Sequence, residues 1–269
     1  MKLRLVKASQ GLVWVRQGVL ALKQQPLGYL GLLGLLGMVA ILLLALPARL
    51  GAIVVVGLMP MGWMAFMLAT RRVMTGQKVS PGVVAELFRA PKATRKDLLL
   101  LGAAYIVATL AVLQIGGLLG PDAEEIEKIT SATEDMAVVL GNPLVQQDML
   151  IRMLLTLPIS LMFWHTPALI LWGNVPVPKA LFFSAVACWR NLGAFVIYGL
   201  GWGGLMLALG LLDRALASVI PAPALIDGLA MIAGMALASA FYASLYFTVV
   251  DCFEPKEAAG TADAAPDLS

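Results

Sequence analysis

The stretch LGYLGLLGLLGMVAILLLAL, residues 27–46, decides the fold, because it contains no charged side chain over its whole length. A helix needs about 20 predominantly apolar residues to cross the hydrocarbon core of a bilayer. The stretch therefore predicts a membrane-spanning helix. It follows an amphipathic arm and lacks the small-residue cleavage pattern of a secretory signal, so we expect it to remain as an anchor.

Further apolar runs of similar length follow the first one along the chain. They cover residues 50–70, 98–120, 150–172, 192–212 and 225–250. The whole chain is 60% hydrophobic and only 13% charged, against about 25% charged residues in soluble domains, and its mean hydropathy is +0.88. The sequence thus predicts an all-α fold, a polytopic membrane helix bundle with six transmembrane helices.

The Lys and Arg residues fall mostly on alternate sides of these spans. Of the 19 in the chain, fifteen lie in the N-terminal arm, in the second and fourth loops, and in the C-terminal tail. Because cytoplasmic loops carry the positive excess, this pattern predicts that both termini are cytoplasmic. It also divides the chain into an amphipathic cytoplasmic arm (1–26), a six-span membrane domain (27–250) and a disordered cytoplasmic tail (251–269).

A short amphipathic segment precedes the first, third and fifth spans. Ser9 is a candidate N-cap of the first helix, which Pro26 ends, and Ser80 before Pro81 is a candidate N-cap of the second. Pro178 opens the third. The expected apolar faces are Leu12, Val15, Val19 and Leu22; Val83, Val84, Leu87 and Phe88; and Leu181, Phe182, Val186 and Trp189. The sequence thus predicts three repeats of an interfacial amphipathic helix plus a helix pair, which either anchors the spans or serves lipid handling or docking.

Glycines are frequent inside the predicted spans. They include Gly28, Gly31, Gly34, Gly37, Gly199, Gly201, Gly203, Gly204 and Gly234. Small residues allow helix backbones to approach closely. We expect packing within the chain to be their role, with a homodimer seam or a mobile hinge as alternatives.

His165 is the single histidine of the chain and falls inside the fourth span, in the motif FWHTP at 163–167. At 1.5 Å per residue it lies about 10 Å from the end of that span at Trp172, where a polar group needs a partner or a water-filled cavity. The candidate intramembrane polar site is His165, Trp164 and Gln114, with Tyr105, Tyr198 and Ser160 as further partners. The histidine is either hydrogen-bonded to another span or relays protons or binds substrate.

A second candidate site is a cytoplasmic interface of Arg190, Asn191 and Asp251, in which Asp251 interacts with Arg190 or Lys179. This interface lies on the predicted cytoplasmic side of the bundle. Basic residues there also favour anionic lipids as neighbours.

Catalysis and metal binding find little support in the sequence. With two cysteines and one histidine, a structural zinc site is not expected, and the acidic segment 122–148 lacks the ligand spacing of a calcium loop. Cys188 and Cys252 lie on the predicted cytoplasmic side, where thiols stay reduced. Phosphate-binding loops, H-E-x-x-H and nucleophile elbows are absent from the sequence. We therefore expect no enzyme, and no catalytic, cofactor-binding or metal-binding residues.

Three segments carry a resemblance to a known family. They are Phe163-Trp164-His165-x-Pro167-Ala168, Phe182-Phe183-Ser184 through Cys188-x-Arg190-Asn191, and Tyr246-Phe247-Thr248-x-x-Asp251. They resemble an uncharacterised family of bacterial six-span inner-membrane proteins. The resemblance covers nearly the whole chain and implies a multi-pass protein of the inner (plasma) membrane without an assigned reaction. The architecture is also faintly similar to the membrane domains of some glycerophosphodiester phosphodiesterases, in the spans alone.

Two classes of function follow. The first is a non-enzymatic membrane interaction or assembly protein, whose partners are the lipid bilayer with its anionic lipids and either another membrane protein or a second copy, but no nucleic acid. The second is a transporter or lipid-handling protein with a site near His165, lined by helices broken at Pro60, Pro158 and Pro167. We expect the first.

Overall fold

The computed structural model describes residues 2–47, 49–133 and 136–254, and the side chains of all of these except 136 and 137. Positions 251–254 of the predicted disordered tail (251–269) are ordered, and the rest of it, from position 255 onward, lies outside the described residues. In chain order the elements are β1 (Lys2–Leu3), α1 (Gln10–Gln24), α2 (Pro26–Leu44), α3 (Leu50–Met74), α4 (Gly82–Arg89), α5 (Lys92–Leu119), α6 (Ala123–Ser131), α7 (Met136–Gly141), α8 (Pro143–Phe163), α9 (Thr166–Gly173), α10 (Val177–Arg190), α11 (Leu192–Val219), α12 (Pro223–Cys252) and β2 (Phe253–Glu254).

Six stretches of helix within the described residues are long and apolar enough to cross a membrane. They are α2, α3, α5, the pair α8 and α9, α11, and α12. The predicted all-α polytopic bundle with six spans is therefore confirmed. Helix α5 begins at Lys92 rather than at position 98, because Lys and Arg are good helix formers whose long side chains reach the headgroups.

Helix α3 lies at the centre of the packing, against α2, α5 and α12, while α8 packs against α5 and α10. Glycine sets the spacing of the α3–α5 pair, since a Cβ added to Gly102 would collide with the carbonyl oxygen of Gly57. Close backbone approach of this kind is the typical use of small residues between membrane helices.

The core lies toward one end of the bundle, where α1, α4, α10, β1 and β2 are found. We call this end of the bundle the basic end. The buried residues of α11 all precede Gly203, and those of α12 lie, apart from Ile226, at Ser239 and beyond. The opposite halves of both helices expose large apolar side chains. Such side chains suit contact with lipid rather than with water.

The two described chain ends meet at the basic end. Strand β1 pairs antiparallel with β2, with Lys2 opposite Glu254 and Leu3 opposite Phe253. The Arg4 N–H donates to the carbonyl of Cys252 at 2.9 Å. These ends therefore lie on one side of the bundle, and their cytoplasmic location stays a prediction.

The predicted faces of the short helices are partly wrong. Helix α1 buries Gly11, Trp14, Val15, Gly18 and Ala21, while Leu12 is 56% exposed. Helix α10 buries Val177, Ala180, Ser184, Ala187 and Cys188, whereas the large side chains of Phe182 and Trp189 are exposed. In α10 mostly small residues pack against the bundle, and large apolar ones face outward where lipid would lie. The threefold repeat stays a prediction.

The predicted N-caps are also corrected. Ser9 occupies the N-cap position of α1, but its side chain makes no capping hydrogen bond. Helix α4 has Pro81 at its N-cap rather than Ser80. The hydroxyl of Ser80 instead accepts a hydrogen bond from Arg72 at 3.1 Å, and Arg72 also pairs with Glu86 of α4.

Most of the glycines singled out from the sequence do not pack within the chain, contrary to expectation. A Cβ added to any of seven of them would meet nothing within 4 Å: Gly31, Gly34, Gly37, Gly199, Gly203, Gly204 and Gly234. Gly28 faces Val79, and Gly201 faces Val15 of α1. The expected packing role holds for those two positions, whereas the larger set leaves its small-residue surface uncovered.

Candidate functional site

The fourth span is interrupted beside His165. Helix α8 ends at Phe163 and α9 begins at Thr166, with Pro167 in its first turn. Proline lacks an N–H and clashes with the carbonyl one turn earlier, which explains the break. Pro60 and Pro158, in contrast, lie inside α3 and α8, which continue through them. The expectation of breaks at these two prolines was wrong.

A hydroxyl from α10 bridges this break. The backbone N–H of His165 donates to Ser184 Oγ at 2.9 Å, and the Ser184 hydroxyl donates to the carbonyl of Leu161 at 2.8 Å. Ser184 is fully buried. Since buried backbone groups need partners, Ser184 satisfies a donor and an acceptor on opposite sides of the interruption.

The imidazole of His165 is fully enclosed. Its Nδ1 lies 3.6 Å from Cys188 Sγ, and its ring lies edge-on to Phe253 at 5.3 Å and to Phe195 at 5.7 Å between centroids. Its Nε2 has no hydrogen-bond partner among the described residues. The predicted partner Gln114 is exposed on α5 and is not part of this environment.

Trp164 turns to a different set of neighbours. Its Nε1–H donates to Thr248 Oγ1 of α12 at 3.2 Å. Its ring packs edge-on against Phe195 at 5.6 Å, Tyr198 at 5.8 Å and Phe241 at 6.2 Å. Edge-to-face geometry at these distances stabilises aromatic pairs beyond their buried area. Trp164 therefore connects the break in the fourth span to α11 and α12.

Asp251 binds helix α1, not the basic residues that the sequence suggested. Its Oδ2 accepts from Gln10 Nε2 and from Trp14 Nε1, each at 2.7 Å. Arg190 and Lys179 are exposed on α10. The predicted interaction of Asp251 with either of them is wrong, because α1 covers the carboxylate first.

Asn191 fastens the N-terminal arm from the junction of α10 and α11. It is 3% exposed. Its Oδ1 accepts from the Val6 N–H at 2.8 Å, and its Nδ2 donates to the carbonyl of Arg4 at 3.1 Å and to that of Ala187 at 3.0 Å. Asn191 and Asp251 are thus occupied by the chain itself, and of the three predicted interface residues Arg190 remains exposed.

The three segments that carry the family resemblance meet at these contacts. We call this the motif cluster, and its members are Trp164, His165, Ser184, Cys188, Asn191, Thr248 and Asp251. Sequence reasoning missed the parts played by Gln10, Trp14 and Phe195. The sequence did hold a signal that α1 packs closely, because Trp14 lies between two small residues, Gly11 and Gly18. In the structure a Cβ at Gly11 would collide with α11, and one at Gly18 would collide with α12.

The motif cluster has few groups that are free to bind a ligand or to react. Its hydroxyls and amide are engaged in hydrogen bonds, and burial raises the pKa of the Cys188 thiol, as does its charge interaction with Cys252. Within the described residues, no group of His, Cys, Asp and Glu could hold a metal ion. The arrangement suits a structural joint between α1, α8–α9, α10 and α12.

Cys188 is expected to resist alkylation in the folded protein. At pH 8 a maleimide should label a C252S variant at least about tenfold more slowly than a K78C/C188S/C252S variant, because Lys78 is exposed and the Cys188 thiol is buried and protonated. Above about pH 8.5 the unfolded thiol loses its proton while the folded one keeps it, so higher pH lowers stability. Equal labelling rates before unfolding in dodecyl sulfate would contradict the described burial.

The fold and its motif cluster define a class of protein, the integral multi-pass membrane proteins with six helical spans. The chain is 35% identical over 262 residues to a probable inner membrane protein of Burkholderia thailandensis, and the match covers 96% of each chain. The chain belongs to the family of that protein, which confirms the resemblance and identifies an integral inner-membrane protein. No protein-family model matches the chain. No solved structure matches it either.

Proposed function

We propose that the protein is a non-enzymatic membrane interaction or assembly protein. The observation that carries this proposal is the uncovered glycine surface of two spans. Gly31, Gly34 and Gly37 of α2, and Gly199 and Gly203 of α11, have nothing of their own chain near the position of a Cβ. Gly199 and Gly203 are spaced four residues apart, as in the helix-pairing motif of membrane proteins. A helix of another membrane protein, or of a second copy, fits such a surface.

The enclosure of His165 supports the same choice. A transporter or lipid-handling protein with a site at His165 needs space beside the imidazole for substrate or water. That imidazole is instead surrounded by Cys188, Phe195 and Phe253. Two clefts described at the basic end are lined by α3, the turn after it, α4 and α5, and neither is lined by His165. This geometry favours assembly over transport through the motif cluster.

Leucine at the uncovered glycines is expected to weaken association. A G31L/G34L/G37L variant and a G199L/G203L variant should each retain about tenfold less partner. The bulky side chains hold the two helices apart, and the lost close packing weakens the binding free energy by about 1–3 kcal/mol. The measurement is affinity purification in mild detergent with mass spectrometry of the bound proteins, together with energy transfer between labelled copies in vesicles.

A matched control comes from α5. Gly117 is also uncovered, but it stands outside both glycine surfaces, and a G117L variant should retain the partner at the wild-type level. If neither glycine variant loses a partner or a second copy that the wild type binds, the glycine surfaces do not mediate assembly. If the wild type itself binds neither, the proposed function is wrong.

A further inference from the structure

An open groove lies between α3, α4 and α5 at the basic end. Its volume is about 690 Å³, within the range of about 300–1,000 Å³ typical of small-ligand sites. Its floor is apolar and includes Met61, Phe88, Leu98 and Leu99. Phe88 is 64% exposed and Leu99 is 65% exposed, so this floor is available to a ligand.

Cations form one side of the same groove. Lys92, Arg95 and Lys96 line it from the first turns of α5, and all three are exposed. No acidic side chain is among the residues that line it. The ion pairs of the described part of the chain involve other residues, and the nearby Glu86 is paired with Arg72. The three positive charges therefore have no carboxylate partner within the described residues.

The charges and the apolar floor are arranged in the order of a membrane boundary. Along α5 the cations come first, and the continuous apolar sequence begins at Leu98. At 1.5 Å per residue, the step from Lys92 to Leu98 is about 9 Å along the helix. Long cationic side chains at this position extend toward the headgroup layer while the helix continues into hydrocarbon.

We propose that this groove binds an anionic phospholipid of the surrounding leaflet. Its phosphate contacts Lys92, Arg95 and Lys96, and one acyl chain lies along Phe88, Leu98 and Leu99. A zwitterionic phospholipid fits less well, because its ammonium group would face the same cations. Inorganic phosphate lacks the apolar part. This binding site is independent of the proposed assembly role, since it lies on α3, α4 and α5 rather than on the glycine surfaces of α2 and α11.

The test is native mass spectrometry of the full chain after reconstitution in vesicles of phosphatidylglycerol and phosphatidylethanolamine in equal amounts. Wild-type protein should retain phosphatidylglycerol preferentially on transfer to mild detergent. A K92Q/R95Q/K96Q variant should retain about tenfold less of it, because each cation near a membrane surface contributes to anionic-lipid binding. Inorganic phosphate at millimolar concentration should not displace the retained lipid.

Two further variants keep the proposal falsifiable. A K7Q/R16Q/K23Q variant removes the same charge from exposed positions outside the groove, and it should retain the lipid at the wild-type level. An A93W variant keeps all cations but fills the groove from an exposed position, and it should lose lipid as the groove triple does. Equal losses in the two charge variants, undiminished binding in A93W, or equal wild-type retention of both lipids would overturn the proposal. The proposal would also be overturned if the A93W variant lost a bound second copy of the chain rather than lipid.

Discussion

Trp14→Ala should release helix α1 from the bundle and lower the free energy of unfolding by about 4 kcal/mol. The indole is fully buried, and its ring packs against Phe195 at 5.3 Å and Tyr198 at 6.0 Å. The substitution leaves a large cavity and removes the Nε1–H donor from Asp251. The measurement is thermal or denaturant unfolding in detergent, followed by limited proteolysis of the arm.

Matched substitutions separate packing from hydrogen bonding at this position. Trp14→Phe keeps an aromatic ring but loses the donor, and should cost about 1–3 kcal/mol. Asp251→Ala removes the acceptor of the same bond, so the two changes should be non-additive. Leu12→Ala, on the exposed side of the same helix, should change stability by less than about 0.5 kcal/mol. If Trp14→Ala costs no more than Leu12→Ala, α1 is not held by Trp14.

The six spans could be predicted from the sequence because hydropathy is a local property. Each run of about 20 apolar residues must satisfy its own backbone within a helix, whatever its neighbours are. For the short helices, no such local rule determines which face packs against the bundle. In α10 the large residues Phe182 and Trp189 marked the apolar face, yet the protein buries Ala180 and Ser184 instead. Lipid solvates large apolar side chains, so hydrophobicity alone does not indicate which face packs.

The polar positions could be singled out from the sequence, but their partners could not. Asp251 and Gln10 are 241 residues apart in the chain, and they meet because α1, which carries Gln10, packs against α11 and α12. The sequence suggested Arg190 and Lys179 as partners because a sequence shows which residues are charged but not which helices pack together. The same limit placed Gln114 beside His165, although it is exposed on α5. The packing of α1 on α11 and α12 depends on Gly11 and Gly18, whose effect appears only with the neighbouring backbone.

His165→Ala should destabilise the protein by about 3 kcal/mol without removing its assembly. The imidazole is fully buried, and its loss leaves a cavity beside Cys188 and two aromatic rings. The helix break itself should persist, because Ser184 bonds the backbone N–H of residue 165 and not the side chain. Unfolding in detergent gives the stability, and affinity purification of the folded fraction gives the bound partner.

The contrast with Ser184→Ala makes the result specific. That variant keeps the imidazole but leaves the His165 N–H and the Leu161 carbonyl without their shared partner, so it should cost about 1–3 kcal/mol through the backbone. An assembly protein tolerates His165→Ala once folded, since its contact surface lies on α2 and α11. A proton-coupled carrier that relays protons through His165 would instead lose transport while keeping its fold, because the single histidine of the chain would be gone. Folded His165→Ala protein that loses its partner would place the assembly surface at the motif cluster and not on the glycines.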